Sequence, residues 1–385
     1  MRAQKDVVEL ARELVGIASV NPMGRGLEGP TIGEGRLGDY LEQFFQQLEV
    51  PVERQQVSPG RVNIVATADV PGSAHTVLFE VHQDTVPVDN MSIPAFDAQL
   101  REGKVWGRGA CDVKGGMAAM LHAFERLVRE KPSGAARLVL ACTVDEEHTF
   151  SGIRHFLSQP QQASMAVVAE PTQLEVVIAH KGLVRWKVKT KGRSCHSASP
   201  ERGVNAIYRM APVLEALSEY AVRLGQGDQH QLLGPPTLSV GVIRGGTSVN
   251  TVPAECEIEI DRRIIPGEDP AAAFNEARQF VFARPAVDPG LLFDEPWLMD
   301  PYLDTAREAK IVSVVSAAVD QIEGKHIIAG VPYGTDGSKI ADAGIPAIVF
   351  GPGDIAQAHT EAEWIDVEQL RKASEIYYQI IRIAG

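Results

Sequence analysis

Cysteine is scarce in this chain of 385 residues: four occur, Cys111, Cys142, Cys195 and Cys256, and no two form a CxxC pair. That excludes a thiolate zinc cluster and a disulfide framework, so composition points to a reducing, cytoplasmic setting. Long apolar runs are missing as well. No stretch reaches the length of a membrane span, and residues 1–20 alternate charged with apolar positions (Val7, Leu10, Leu14, Ile17) as an amphipathic helix does, not a secretion signal. Excess positive charge is also absent, with 37 Lys and Arg against 50 Asp and Glu for a net charge of −13. Nucleic acids and anionic membranes demand concentrated basic patches, so neither is an expected partner. Nucleotide loops are lacking too: GRGACD is not GxGxxG, GTDGSK does not have Walker spacing, and no GxSxG elbow occurs.

What the chain does have is length, pattern and acid. Its size and 44% hydrophobic content allow two domains. The N-terminal helix stops at Asn21-Pro22, and residues 21–36 read as a Gly-rich loop. VNIVAT (62–67), TVLFEV (76–81), RLVLACTV (137–144) and MAVVAE (165–170) read as strands, interleaved with helices at 114–130 and 149–158. Buried strands alternating with helices predict a mixed α/β sheet covered on both faces. Beyond HKG (180–182) the texture changes. LVRWKVKTKG (183–192) alternates apolar and polar residues like an antiparallel strand with one exposed face. A helix over 203–223, strands near 237–243 and 254–265, and a helix near 268–282 complete an α+β sandwich. The α/β texture returns from about 296, with a helix at 304–318, a strand at AIVFG (347–351) and a helix at 366–383. The expected architecture is a catalytic domain (1–181 and 296–385) interrupted by an inserted domain (182–295).

Acidic and histidine residues gather at strand ends of the α/β part, the edge where such sheets bind ligands. They are His82 and Asp84 in VHQDTVP, Asp112 in GRGACDVKGG, Glu146 and Glu147 in TVDEEH, Glu170 in AEPT and His359 in QAHTE. Singly each is unremarkable, since an acidic pair after a strand is usually a solvated turn. Together they fit one scheme. His82 ends a strand, and Asp84, two residues on, emerges on the same side in an extended chain. There it can accept the other ring N–H of a metal-bound histidine. Two histidines and three carboxylates without a thiolate suit a pair of zinc ions, or cobalt or manganese. Charge favours two ions, because Asp112, Glu147 and Glu170 with a bridging hydroxide balance two divalent cations. One member of the pair Glu146 and Glu147 is then free to act as a general base.

The motifs HQDTVP, GRGACDVKGG, DEEH, AEPT and GPGDIAQAHT, in that order over nearly the whole chain, resemble the co-catalytic dizinc amidohydrolases and metallopeptidases. That family includes acetylornithine deacetylase, succinyl-diaminopimelate desuccinylase, aminoacylase and glutamate carboxypeptidase. The resemblance implies that Asp112 bridges both metals, that His82 and Glu170 complete one site, and that Glu147 and His359 complete the other. It implies that Glu146 is the base that moves a proton from water to the leaving amine, and that the peptide after Asp112 is cis. The inserted part resembles the family's lid and dimerisation domain through GRSCHSASPERGVNAI (192–207), which makes a homodimer expected. By the same resemblance His196 reaches the carbonyl oxygen of the scissile amide, usually from the partner subunit. Asn250, Arg263, Gly334 and Thr335 match positions that touch substrate, with Arg262 an alternative to Arg263 for a guanidinium clamp on a carboxylate. The segments LLGPPTLSVGVIRGGTSVNTVP and IDRRIIPGE look most like acetylornithine-deacetylase-type members. The implied activity is hydrolysis of an N-acyl amino acid. Desuccinylase and glutamate-carboxypeptidase-like activities are the alternatives, and a non-catalytic metal-binding relative is the remote one.

Overall fold

A computed structural model describes residues 4–385, and contacts divide the chain into two compact units. One comprises residues up to 178 with 305–329 and 335–385; the other comprises 179–304 with 330–334.

In the first unit, β-branched and aliphatic runs build a twisted mixed sheet. Its strands run in the order Val52–Ser58, Arg61–Ala68, Arg137–Thr143, Thr76–His82, Met165–Val168 and Ala347–Val349, continuing to Val176–His180. Four neighbours, from Arg137–Thr143 to Ala347–Val349, are mutually parallel. Parallel strands are buried on both faces, and TVLFEVH accordingly has every residue after Thr76 out of solvent. Because these strands share a direction, His82, Thr143 and Val168 end at one edge, and the segments after them meet there.

Amphipathic helices cover the sheet. Gly115–Glu130 packs against the C-terminal Val367–Ala384 and the N-terminal Val7–Gly16, whose Asp6 caps it by accepting from Val8 N–H. Gly35–Gln47 is a helix absent from the expected elements; it has apolar spacing at Leu37, Leu41, Phe44 and Phe45 but starts on glycine without a side-chain cap. The helix expected at 304–318 runs instead over Lys310–Glu323. Its start is displaced because Thr305 is tied to the sheet, its N–H donating to Ile178 O (2.8 Å) and its hydroxyl to Ala347 O (2.5 Å). A small antiparallel sheet joins Trp364–Asp366, Lys104–Trp106 and Gln99–Arg101. There Trp106 and Trp364 face each other at 6.1 Å between ring centroids, with Lys104 3.6 Å above the Trp364 ring.

The second unit is an antiparallel sheet, Thr237–Gly245, Glu255–Ile264 and Gly182–Lys191, with short strands Leu292–Phe293 and Leu298–Asp300 beyond. Helices Ala206–Gly225 and Pro270–Phe282 bury one face around Trp186, Tyr220 and Phe274. The other face carries the polar alternates as an ion-pair ladder: Arg185 with Asp261, Lys187 with Glu257 and Glu259, Lys189 with Asp294. The mixed α/β expectation holds, and so does the change from covered to one-sided strands at 183.

Trp186 is fully buried and meets the Phe274 ring edge-on at 5.4 Å. Trp186→Ala should lower the stability of the second unit by about 3–5 kcal/mol. Chemical unfolding checks this, and a loss below about 1 kcal/mol would remove the indole from its central place in that core.

Candidate metal centre

Asp112 lies between the strand layer and the helix Gly115–Glu130, on a loop that only glycine permits. At Gly109 (φ +81°) a Cβ would stand 2.6 Å from the Thr85 methyl, and at Gly107 (φ +149°) 2.8 Å from the Ala95 carbonyl oxygen. The Asp112–Val113 peptide is cis, as the resemblance implies.

Around Asp112 the loops after the parallel strands converge. Its Oδ1 lies 3.0 Å from His82 Nε2, and that same ring nitrogen lies 3.9 Å from Glu170 Oε1. Its Oδ2 lies 3.3 Å from His359 Nε2, which is 3.1 Å from Glu147 Oε1. One carboxylate thus serves two triads, His82–Asp112–Glu170 and Asp112–Glu147–His359, each with its donor atoms within 4.8 Å of one another.

Charge is the difficulty of this arrangement. Burial resists a proton on His359, yet contacts with Asp112 and Glu147 push its pKa up to about 11. Burial likewise opposes charge on His82, and Asp112, Glu146 and Glu170 outweigh it, so that pKa also rises. Asp112 moves down: burial works against its charge, but hydrogen bonds from His359 and His82 prevail. The other three acids move up, through burial first and then through a carboxylate neighbour, Glu170 for Glu146 and Asp112 for both Glu147 and Glu170. The cluster therefore draws positive charge to two points. Two imidazoles and three carboxylates, with no thiolate, are donors of the type that zinc, cobalt or manganese prefer, so the residues fit two divalent cations. Among the described residues the Glu146 carboxylate accepts no hydrogen bond.

Asp84 departs from its expected role. His82 Nδ1 lies 2.9 Å from the backbone oxygen of Asp84, while the Asp84 carboxylate is 3.7 Å away from that nitrogen. The side chain turns instead to the acidic pair, accepting the N–H of Glu146 and of Glu147, both at 3.1 Å, and the amide of Asn21 at 2.8 Å. Both acceptors of a residue two positions on are within reach of the ring in sequence terms, and the main-chain oxygen takes the contact because the carboxylate is engaged elsewhere. Asn21 also donates to Asp145 (2.9 Å), which pairs with Arg61, itself bound to buried Glu34. None of Asn21, Glu34, Arg61 and Asp145 is among the expected site residues. Asn21 reads in the sequence only as a helix stop, and the others as ordinary charges.

The remaining expected residues fall elsewhere. His196 and Asn250 are exposed and adjoin in the second unit: His196 bridges Thr251, and Ser197 N–H donates to Asn250 O (3.0 Å). Arg262 points into that unit's interior, fully buried and paired with Glu268 (2.5 Å), whereas Arg263 lies on the open face, its Nε 2.7 Å from Asp261. Between the two, only Arg263 retains an accessible guanidinium. Gly334 lies in the second unit. Thr335 lies in the first, fully buried, its hydroxyl accepting from Gly337 N–H (3.1 Å) and its carbonyl from Lys339 Nζ (2.9 Å). Its side chain is thus committed to its own loop. Cys111 is buried, its thiol pKa raised by burial and then by Glu363, which suits a small filler and not a nucleophile.

The chain matches the model of "Peptidase family M20/M25/M40" over residues 78–383. It is 31% identical to an acetylornithine deacetylase of Myxococcus xanthus, over 88% of this chain and 89% of that protein. It is equally identical, 31%, to a probable carboxypeptidase of Aspergillus clavatus, over 92% of this chain and 85% of that one. In fold it is similar to an M20 family metallo-carboxypeptidase of Sulfolobus solfataricus, with a TM-score of 0.81, 17% identity and 99% of each chain covered.

Asp112→Ala should reduce bound metal from two ions per chain to one or none by elemental analysis; full occupancy would remove Asp112 from its bridging position.

Proposed function

We propose, since this chain belongs to peptidase family M20/M25/M40, that it hydrolyses the amide bond of an N-acyl amino acid, acetylornithine-deacetylase-like, with two zinc ions as cofactor. The observation that carries this reading is the division of Asp112 between two donor triads, with the uncommitted Glu146 carboxylate in the same charge cluster. Bound there, the ions would supply Lewis-acid polarisation of the amide carbonyl and acidify a water.

The rest is work for the chain's own groups. His82 and Glu170 would hold one cation, Glu147 and His359 the other, with Asp112 common to both. Glu146 takes the proton of the attacking water and returns it to the leaving nitrogen, its carboxylate being engaged in no hydrogen bond that would compete. Asp84 orients Glu146 and Glu147 through their backbone N–H groups. His196 donates to the carbonyl oxygen as it gains charge, Arg263 clamps the substrate carboxylate, and Asn250 and Gly334 complete the contacts; Thr335 belongs to the same loop.

A carboxypeptidase reading is favoured by the Aspergillus relative, as similar as the deacetylase. A kinetic panel separates the two. With Zn²⁺ or Co²⁺ added, N-acetylornithine and N-acetylcitrulline should be cleaved faster than N-succinyl-diaminopimelate and glutamyl dipeptides; preference for dipeptides favours the carboxypeptidase. Glu146→Gln should keep both ions yet lose at least a hundredfold in kcat, and retention within tenfold would remove Glu146 as the base.

We also infer that the second unit acts as a lid in a cytoplasmic homodimer. No helix among the described residues is long and apolar enough to cross a membrane. Thr237–Gly245 is an edge strand with Ile243 exposed, and the helix Ala206–Gly225 exposes Ile207, Tyr208 and Val222. An antiparallel edge can pair with itself about a twofold axis, which supports a second copy of this chain as its occupant. Light scattering should give twice the 41.6 kDa chain mass, and Ile243→Lys should halve it; a wild-type monomer would overturn this and the in-trans role of His196.

A further inference from the structure

One buried carboxylate of the first unit takes no part in the hydrolytic scheme. Glu363 is fully out of solvent, four residues beyond His359 in HTEAEW. Its Oε1 accepts the backbone N–H of Cys111 (2.9 Å) and of Asp112 (3.0 Å). Its Oε2 accepts the N–H of Gly109 (3.1 Å) and Arg108 Nη1 (2.8 Å). Every acceptor direction is thus aimed at the loop that carries Asp112.

The same group binds the His359 segment to that loop by other routes. The Glu363 carbonyl accepts from Gly107 N–H (3.0 Å). Arg108, held by Glu363, also donates to Asn90 Oδ1 (3.1 Å) and Pro87 O (3.3 Å), and the Asn90 amide reaches His359 O (3.3 Å). A buried acid between two acid-bearing loops adds repulsion to a cluster already rich in it. Its retention is explained by the backbone donors it satisfies, which nothing apolar could satisfy.

We propose that Glu363 is a positioning residue of the metal centre, fixing Asp112 and His359 relative to each other so that the second cation finds both donors in place. The proposal rests on the reading of the two triads as a metal centre. Glutamine at 363 would point an NH2 group either at Cys111 and Asp112 or at Gly109 and Arg108, and donor would face donor on one side.

The test is a titration of metal-free protein with Co²⁺, following the ion's visible absorption and the bound metal, without substrate. Wild type should take up two equivalents. Glu363→Gln should fold, with a cooperative melt, yet bind the second equivalent about ten- to a hundredfold more weakly and with a shifted visible band. Its kcat should fall while KM stays within about threefold. Unchanged Co²⁺ affinity and spectrum in the folded variant would overturn the proposal. Should Glu363→Gln not fold, Glu363→Asp decides on the same criteria, keeping the charge but withdrawing the carboxylate by one methylene. Failure of both to fold would assign Glu363 to the fold itself and overturn the proposal. Wild type that binds no Co²⁺ overturns this proposal and the metal centre together, whereas the identity of the amide cleaved does not enter the titration.

Discussion

Repulsion among buried carboxylates is the constraint that the first unit is built around. Asp112, Glu146, Glu147 and Glu170 meet within one cluster, and His82 and His359 are the side chains there that offer positive charge. Left to themselves such groups would take up protons or separate. Separation is not open to them, because each backbone is fixed by something rigid, so the repulsion appears as a raised affinity for protons at Glu146, Glu147 and Glu170. The parallel strands deliver His82, Glu147 and Glu170 to one edge, and the glycines at 107 and 109 let the Asp112 loop pass between side chains where no Cβ fits. Stability is spent on geometry here, the usual condition of a site made to bind cations.

Around this cluster two further acids, Asp84 and Glu363, gather backbone, amide and guanidinium donors. Asp84 uses its carboxylate on two main-chain N–H groups and one amide, and Glu363 does the same with three N–H groups and a guanidinium. The two acids divide the work, Asp84 setting the Glu146–Glu147 turn and Glu363 the loop of Asp112. The second unit is organised otherwise. Its sheet has an apolar face under two helices and an open face laced with ion pairs, and the exposed His196 and Asn250 belong to a loop region, not to a buried core.

Much of this was legible in the sequence, for identifiable reasons. His82, Glu147 and Glu170 follow apolar runs that could only be buried strands, so residue type and position together pointed to one edge. The alternation in LVRWKVKTKG likewise announced a strand with one open face. Other features left no trace of that kind. Asp84 sits where either its carboxylate or its carbonyl can serve His82, and only the position of the acidic turn decides between them. Arg262 and Arg263 must face opposite ways on a strand, yet which one is interior depends on the helix side of the sheet. Asn21 and Glu363 act on groups distant in sequence, Asn21 on the Asp84 and Asp145 carboxylates and Glu363 on main-chain N–H groups, and no local side-chain pattern betrays such contacts.

The paired rings of Trp106 and Trp364 make the molecule its own optical probe. Trp364 follows Glu363 directly, and Trp106 precedes Gly107, so both indoles adjoin the segments that carry Asp112 and His359. The other two tryptophans, Trp186 and Trp297, belong to the second unit. Replacing those two by phenylalanine, which keeps an aromatic ring in the core position of Trp186, leaves a fluorophore couple next to the loops of the metal centre, with a lysine ammonium over one ring as a built-in quencher.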